Sequence, residues 1–349
     1  MKNSKVIKFV AGGGKTTEAY KHILENKNGL YLAFTNSVVD ELSCRGVTAK
    51  TIDSLFASYI IPKFLCELPI INKGTSFKKI LPSEELKPRL KGALNIHLRE
   101  DGCFYNGNSI TTFSVKTPNS DLHKSNTPNS TFLKYIFGKD ETRLSDVLRG
   151  DLANYLLTNY KNDVFELLCM RFNYVIVDEA QDLKQGCHEY FARLLSESSM
   201  QSIFYGDSHQ NVNGGGKWFE ELNPDEYKEH SYRCPEKNCE WIRSHLSIAI
   251  FGENKEGNVI SFKRNDILQL NDGKRCLIYS NKRNLEDVLN NWSGPKNTIK
   301  SIKGKTVIED VVIIGKSMGV DELYTAITRT TKNAFVCCDI LDKYPNEKV

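Results

Sequence analysis

Two short stretches carry residues whose types and spacing suit phosphate chemistry. The first is Ala11-Gly12-Gly13-Gly14-Lys15-Thr16-Thr17. Glycine frees backbone N–H groups to wrap a phosphate chain, and a helix beginning there adds the positive end of its dipole. Gly12, Gly13 and Gly14 would form the cradle. Lys15 would reach the outer phosphates of a triphosphate, Thr16 would offer its hydroxyl to magnesium, and Thr17 would complete the loop. The full phosphate-loop pattern has a small residue where this chain has Phe9. The match is therefore the Gly-Lys-Thr core plus its context, and a glycine-rich turn with a surface lysine is the plain alternative.

The second stretch is Val175-Ile176-Val177-Asp178-Glu179-Ala180-Gln181-Asp182. An apolar strand ending in two acids sets both carboxylates at the carboxyl edge of a sheet, where open α/β folds hold their ligands. Asp178 can hold Mg2+, and Glu179 can orient an attacking water as general base. An acidic turn after a strand is the alternative. Each stretch needs the other chemically, and together they imply ATP and Mg2+ as ligands.

The elements that must position these residues read as α/β. Val6–Val10 is a strand, the glycine loop follows, and Glu18–Leu24 is helical; further strands read at Leu30–Phe34 and Thr48–Ile52. Strands alternating with helical stretches predict a parallel sheet. The character changes between Lys63 and Arg149, where Asn106–Asn129 is rich in Ser, Thr, Asn and Pro and reads as a long surface loop. The pattern resumes with a helix near Leu144–Leu157, strands at Tyr174–Val177 and Ile203–Tyr205, and, beyond Glu229, strands at Cys276–Ser280, Val311–Ile314 and Ala334–Cys338.

With these motifs in order, the chain resembles the superfamily 1 helicases, especially the UvrD, PcrA and Rep branch. Asp178-Glu179-Ala180-Gln181-Asp182 has the form of the family's second phosphate motif. Leu32–Asn36 and Thr51–Phe56 look like motifs Ia and Ib, and Gly206–Gln210 like motif III. Ser231-Tyr232-Arg233 resembles motif IV, Ser301–Thr306 motif V, and Leu323–Arg329 motif VI. The resemblance implies two RecA-like parallel-sheet domains sharing one nucleotide site: residues 1–230, with an inserted subdomain at about 63–149, and residues 231–349.

It also implies roles by position. Gln210 senses the γ-phosphate, and Arg233 and Arg329 act as arginine fingers on the charge that develops during phosphoryl transfer. Tyr232 stacks on adenine, and Gly304 of motif V joins the nucleotide-binding set. Phe34, Thr35, Thr51 and Ser54 touch a nucleic-acid strand, Phe34 by stacking. Phe34 could equally be core at a strand end, Tyr232 a packing residue, and the two arginines surface ion-pair formers. His209 is read as non-catalytic. The activity implied is an ATP-dependent translocase or helicase on single-stranded nucleic acid, DNA favoured over RNA and 3′ to 5′ in direction. The alternatives are an ATP-driven switch controlling a protein partner such as a nuclease, and a viral-type RNA helicase.

The chain departs from the family in four places. No upstream glutamine motif is expected, so base specificity is expected to be loose. Asp53 stands where histidine is usual. After motif III comes Asn211–Gly216 where a strand-stacking aromatic belongs, with Trp218 or Phe219 as out-of-register substitutes. The segment from Asn281 to Lys303 has no room for the large insertion of UvrD-type enzymes, and motif V has a form closer to compact viral and phage helicases.

Composition bounds the rest. At 349 residues there is room for two or three domains, and 26% charged residues with 40% apolar ones are ordinary for a globular chain. No apolar run approaches the roughly 20 residues of a membrane span, and no signal peptide is evident, so a cytoplasmic protein without a membrane partner is expected. A net charge of +4 allows a polyanionic partner without demanding one. The ten cysteines are scattered, and neither Cys234 with Cys239 nor Cys337 with Cys338 has zinc-site spacing. Reduced thiols are expected, with magnesium as the one metal.

Overall fold

The structure is a computed structural model that describes residues 3–26, 28–64, 97–98, 103–105, 109–114, 146–281, 285–315 and 318–345. By contacts the chain divides into two compact units: Met1–Lys27 with Ile176–Lys184 and Ser202–Val349, and Asn28–Val175 with Gln185–Gln201. The class is α/β with parallel sheets, as the sequence predicts.

Besides the parallel pair His230–Pro235 and Phe251–Glu253, the first unit holds two larger parallel strand systems. Ser4–Phe9 is buried at five of its six positions and lies between Gln201–Gly206 and Glu226–Lys228, parallel to both. Burial takes in Lys8 as well as Val6, Ile7 and Phe9, and the Lys8 ammonium donates to the Glu220 carbonyl at 2.8 Å. The second system is a five-stranded sheet in the order Val259–Phe262, Ala334–Cys337, Val311–Ile314, Cys276–Tyr279, Lys296–Thr298, with all pairings parallel. Its central Val311–Ile314 and neighbouring Cys276–Tyr279 are wholly buried. Helices Glu236–Leu246 and Val320–Ile327 contribute Ile242, Leu323, Ala326 and Ile327 to that core.

The glycine loop leads directly into helix Lys15–Glu25, which buries Ala19 and Ile23 one turn apart. Gly14 stands just before this helix at φ 83, a left-handed conformation that glycine adopts without steric cost. The helix is thereby aimed with its first N–H groups toward the loop.

In the second unit, buried Gly29–Ala33 pairs in parallel with Ala49–Thr51, placing Ala33 beside Thr51. Helix Asn36–Cys44 makes the crossover. The Thr51 hydroxyl caps the following turn by accepting the Ser54 N–H at 3.1 Å. Phe191, on helix Cys187–Glu197, stacks on Phe165 and meets Phe56 edge-on.

Much of the expected insertion at 63–149 lies outside the described residues. Within it, His97–Leu98, Cys103–Tyr105 and Ser109–Ser114 form a small antiparallel sheet. Ser109–Ser114 corrects the loop read at 106–129, and its β-branched Ile110, Thr111 and Thr112 favour the extended form. Among the described residues no helix is long and apolar enough to cross a membrane.

Candidate nucleotide site

The phosphate-loop residues and the later motifs of the first unit converge on one cavity of about 360 Å³. Gly12, Gly13, Gly14, Lys15, Thr16, Thr17, Glu179, Gln210, Tyr232, Arg233, Gly304 and Arg329 all line it. Twelve of the thirteen residues expected at the nucleotide and its metal are thus brought together. The thirteenth, Asp178, is buried at the end of strand Tyr174–Val177, and its carboxylate accepts the Glu179 N–H at 2.9 Å.

Glu179 turns out of that strand at φ 53, a left-handed conformation unusual for a residue with a Cβ. Lys15 Nζ stands 2.5 Å from Glu179 Oε2, and the Gln181 amide also donates to that oxygen. Burial alone would push the Glu179 carboxyl up, but Lys15 and Lys303 outweigh it and hold the group at about 2. For Lys15 burial works against the charge, and Glu179 and Asp178 more than compensate, so its ammonium is favoured.

The two arginines sit differently. Arg329 is 2% exposed and anchored by Nε to the Thr325 carbonyl at 3.0 Å, while one terminal nitrogen is buried without a hydrogen bond. Burial, and then the charge of Arg233, hold its guanidinium down to about 9. Such a group is poised for an anion, because removing a cation from water is costly unless it is paired. Arg233 reaches Thr306 Oγ1 at 3.3 Å. Among the described residues neither pairs with a carboxylate, so neither is there a surface ion-pair former. Tyr232 is 63% exposed, and its ring lies beside Gly14, an open aromatic face at the cavity rim and not a packing residue.

The loop is pressed onto strand His230–Pro235. A Cβ on Gly12 would come within 2.7 Å of the Arg233 Cβ, so no larger residue fits there without displacing the strand. The Gly12 carbonyl accepts the Tyr232 N–H at 3.0 Å, and the Ser231 hydroxyl donates to the Ala11 carbonyl at 2.6 Å.

Four groups inside the motif-like stretches were given no role by the sequence reading. Asp207 lines the cavity, and burial pushes its carboxyl up. Its sequence signal was available: it follows an apolar strand, as Asp178 does. Tyr324 donates to Asp207 at 3.1 Å and accepts the Ala11 N–H at 2.8 Å. Lys303 Nζ lies 2.7 Å from Asp182 and also donates to the Gln210 carbonyl. Thr306 completes the lining. The last three fall inside the stretches that resemble motifs VI and V, but nothing local gives them these partners.

In the second unit, Phe34 is 38% exposed and is not core. Thr35 follows it on the surface, and Thr51 and Ser54 are half-buried. Because Ala33 and Thr51 are paired, these residues leave one sheet edge together. Asp53, where the resemblance leads one to expect histidine, meets a histidine from elsewhere: its carboxylate bonds His188 Nε2 at 2.8 Å.

One expectation is corrected. Trp218 and Phe219 cannot serve as strand-stacking aromatics, because both are buried, Trp218 edge-on against Phe204 and Phe219 beneath Gly206. His209 stays outside the cavity lining, its ring edge-on to Tyr324. Cys337, Cys338 and Asp339 bring their ligand atoms within 4.8 Å, but three consecutive residues do not supply a tetrahedral set.

The sequence model for the viral superfamily 1 RNA helicase core domain matches residues 124–338. A search of curated proteins finds no match. Similar solved structures include the helicase of PRRSV, at 14% identity and TM-score 0.46, covering 96% of this chain and 52% of that one. Arterivirus nonstructural protein 10, a helicase, is similar both in complex with DNA (13% identity, TM-score 0.45, covering 96% of this chain and 60% of that one) and in a second structure (15%, 0.44, 96% and 59%). The chain thus spans between about half and three-fifths of these structures.

Proposed function

The chain belongs to the viral superfamily 1 RNA helicase core family, and on that footing we propose that it is an ATP-hydrolysing motor acting on single-stranded nucleic acid. The observation that carries the proposal is the meeting of Lys15, Glu179, Gln210, Arg233, Arg329 and Tyr232 around one cavity. The superfamily agrees with the sequence reading. The branch is the viral one, whereas the motifs read as UvrD-like, and the 3′ to 5′ direction falls with the likeness that carried it. RNA therefore replaces DNA as the favoured track.

The residues divide the work by position. The loop amides and Lys15 hold the phosphates. Glu179, kept ionised beside Lys15, orients and deprotonates the attacking water once the incoming phosphates draw Lys15 away. Gln210 contacts the γ-phosphate, and Arg233 and Arg329 stabilise the charge gathering on the transferred group. Tyr232 offers a stacking face to the base. The Thr16 hydroxyl and the Asp178 carboxylate are hard oxygen donors of the kind magnesium takes, and the ion would neutralise phosphate charge there. We assign the two halves to RecA-like domains at residues 1–230 and 231–349, and the strand to the edge bearing Phe34, Thr35, Thr51 and Ser54.

One observation favours a second reading. With Trp218 and Phe219 buried, the usual stacking aromatic after motif III has no substitute there. A chain that, among the described residues, offers a strand only the aromatic Phe34 could act as an ATP-driven switch on a protein partner such as a nuclease.

The deciding experiment is ATP hydrolysis with no polymer, with single-stranded RNA and with single-stranded DNA, using Lys15→Ala as control. Stimulation by RNA above DNA, abolished in Lys15→Ala, is the expected result. Hydrolysis indifferent to both polymers would sink the motor and leave the switch. No hydrolysis would sink both.

A further inference from the structure

We propose that Tyr324 is a positioning residue for hydrolysis, one hydroxyl that sets the glycine loop and the γ-phosphate face of the cavity in register. The proposal rests on the hydrolysis reading above.

The Tyr324 hydroxyl is fully buried and uses both of its capacities inside the site. It accepts the Ala11 N–H at 2.8 Å and donates to Asp207 Oδ2 at 3.1 Å. A tyrosine that merely filled core would need one partner anywhere; this one joins two segments that both face the nucleotide. Ala11 is the residue just before the glycine cradle. With its N–H held by Tyr324 and its carbonyl by Ser231, the loop enters the cradle in one direction only.

On the other side the bond continues. The Asp207 N–H donates to Gln181 Oε1 at 3.0 Å, and the amide of the same Gln181 donates to Glu179. An unbroken chain of hydrogen bonds thus runs from Ala11 through Tyr324, Asp207 and Gln181 to the proposed base. Helix Val320–Ile327, which carries Tyr324, ends just before Arg329, and Arg329 is tied back to Thr325 on that helix. One rigid segment therefore presents a hydroxyl to the loop and a guanidinium to the cavity. Moving the segment moves both, so loop, base and arginine share one register. Hydrolysis is sensitive to such placement, because small displacements of reacting groups are expensive in rate.

Tyr324→Phe keeps the ring and removes both bonds. The expected result is a kcat lowered by about tenfold or more, with the KM for ATP changed under about threefold. A role confined to folding would lower the melting temperature and leave kcat per folded molecule unchanged, which overturns the proposal. Asp207→Ala supplies the second arm: in that background Tyr324→Phe should lose most of its effect on kcat, whereas fully additive losses overturn the route through Asp207. Should Tyr324→Phe not fold, Ser231→Ala, which releases the Ala11 carbonyl, is read by the same split of kcat from KM. Wild-type chain that hydrolyses normally beside an equally active Tyr324→Phe overturns this proposal alone. Wild-type chain that hydrolyses nothing overturns the function it rests on, and this with it.

Discussion

Lys15 Nζ and Glu179 Oε2 are 2.5 Å apart, so the loop's cation and the strand's second acid neutralise each other within the cavity. The pair keeps both groups charged despite burial, and it competes with a triphosphate for the same ammonium. Glu179→Gln should therefore bind nucleotide at least as well as wild type and hydrolyse it about 10²- to 10⁴-fold more slowly, the range for removing a general base. Fluorescent-nucleotide titration and single-turnover hydrolysis check the two halves. A variant that hydrolyses at the wild-type rate removes Glu179 from catalysis.

The same pair has an acid limb. Glu179 is held at about 2, below its ordinary 4.5. A carboxyl lowered on folding stabilises the chain above its unfolded value, and that contribution is lost as the pH falls from 4.5 toward 2. The buried Asp182 and Asp207 are pushed the other way, mainly by burial, so the difference between wild type and Glu179→Gln isolates the effect. Wild type should lose its stability advantage over the variant across that window in melting experiments. A constant difference from pH 6 to pH 3 would mean the charge is not sensed.

Arg329 is buried with one nitrogen unsatisfied, so its charge costs stability until an anion arrives. Arg329→Ala should slow hydrolysis by about 10³-fold or more. It should also shrink the rise in melting temperature that a non-hydrolysable ATP analogue produces. Scanning calorimetry with and without the analogue checks this, and an undiminished rise would place the phosphates elsewhere.

Lys303 and Asp182 form a nearly dry ion pair, their side chains 8% and 1% exposed. Removing one member strands the other, so Lys303→Ala should cost about 3–5 kcal/mol. Replacing both by apolar residues of similar volume, Asp182→Leu with Lys303→Met, should recover most of it. Urea unfolding measures each; a loss under 1 kcal/mol in the single variant would show that water reaches the pair.

Phe34→Ala should weaken single-strand binding by about 1–3 kcal/mol, the worth of one stacked base. Hydrolysis without polymer should not change. Fluorescence anisotropy with labelled oligonucleotides checks the first, and an unaltered affinity would take the strand off this edge.

What the sequence showed and what it hid divide along chain distance. The glycine loop, the paired acids and their strands are local: a run of apolar residues ending in Asp178-Glu179 carries its own geometry. Strands Tyr174–Val177 and Val311–Ile314 read to the residue because burial on both faces leaves no polar position to blur the ends. Tyr324, Lys303 and Thr306 lay in motif-like stretches, but their roles were invisible because their partners lie far along the chain. Asp53 looked like a lost histidine until folding brought His188 to it. Trp218 and Phe219 misled for the opposite reason: an aromatic looks the same in sequence whether it faces a ligand or the core, and only packing against Phe204 and Gly206 distinguishes the two.

The hydrogen bond from Ala11 to Tyr324 joins residues 313 positions apart. Synthesis delivers these residues in order, at about 5–20 residues per second. The loop therefore emerges well before the Tyr324 hydroxyl, and for that interval the nascent chain carries a phosphate cradle without the bond to its Ala11 N–H. A chain stalled short of residue 324 would own every residue of the loop and still lack this bond, so the proposed hydrolysis should wait until residue 324 has left the ribosome.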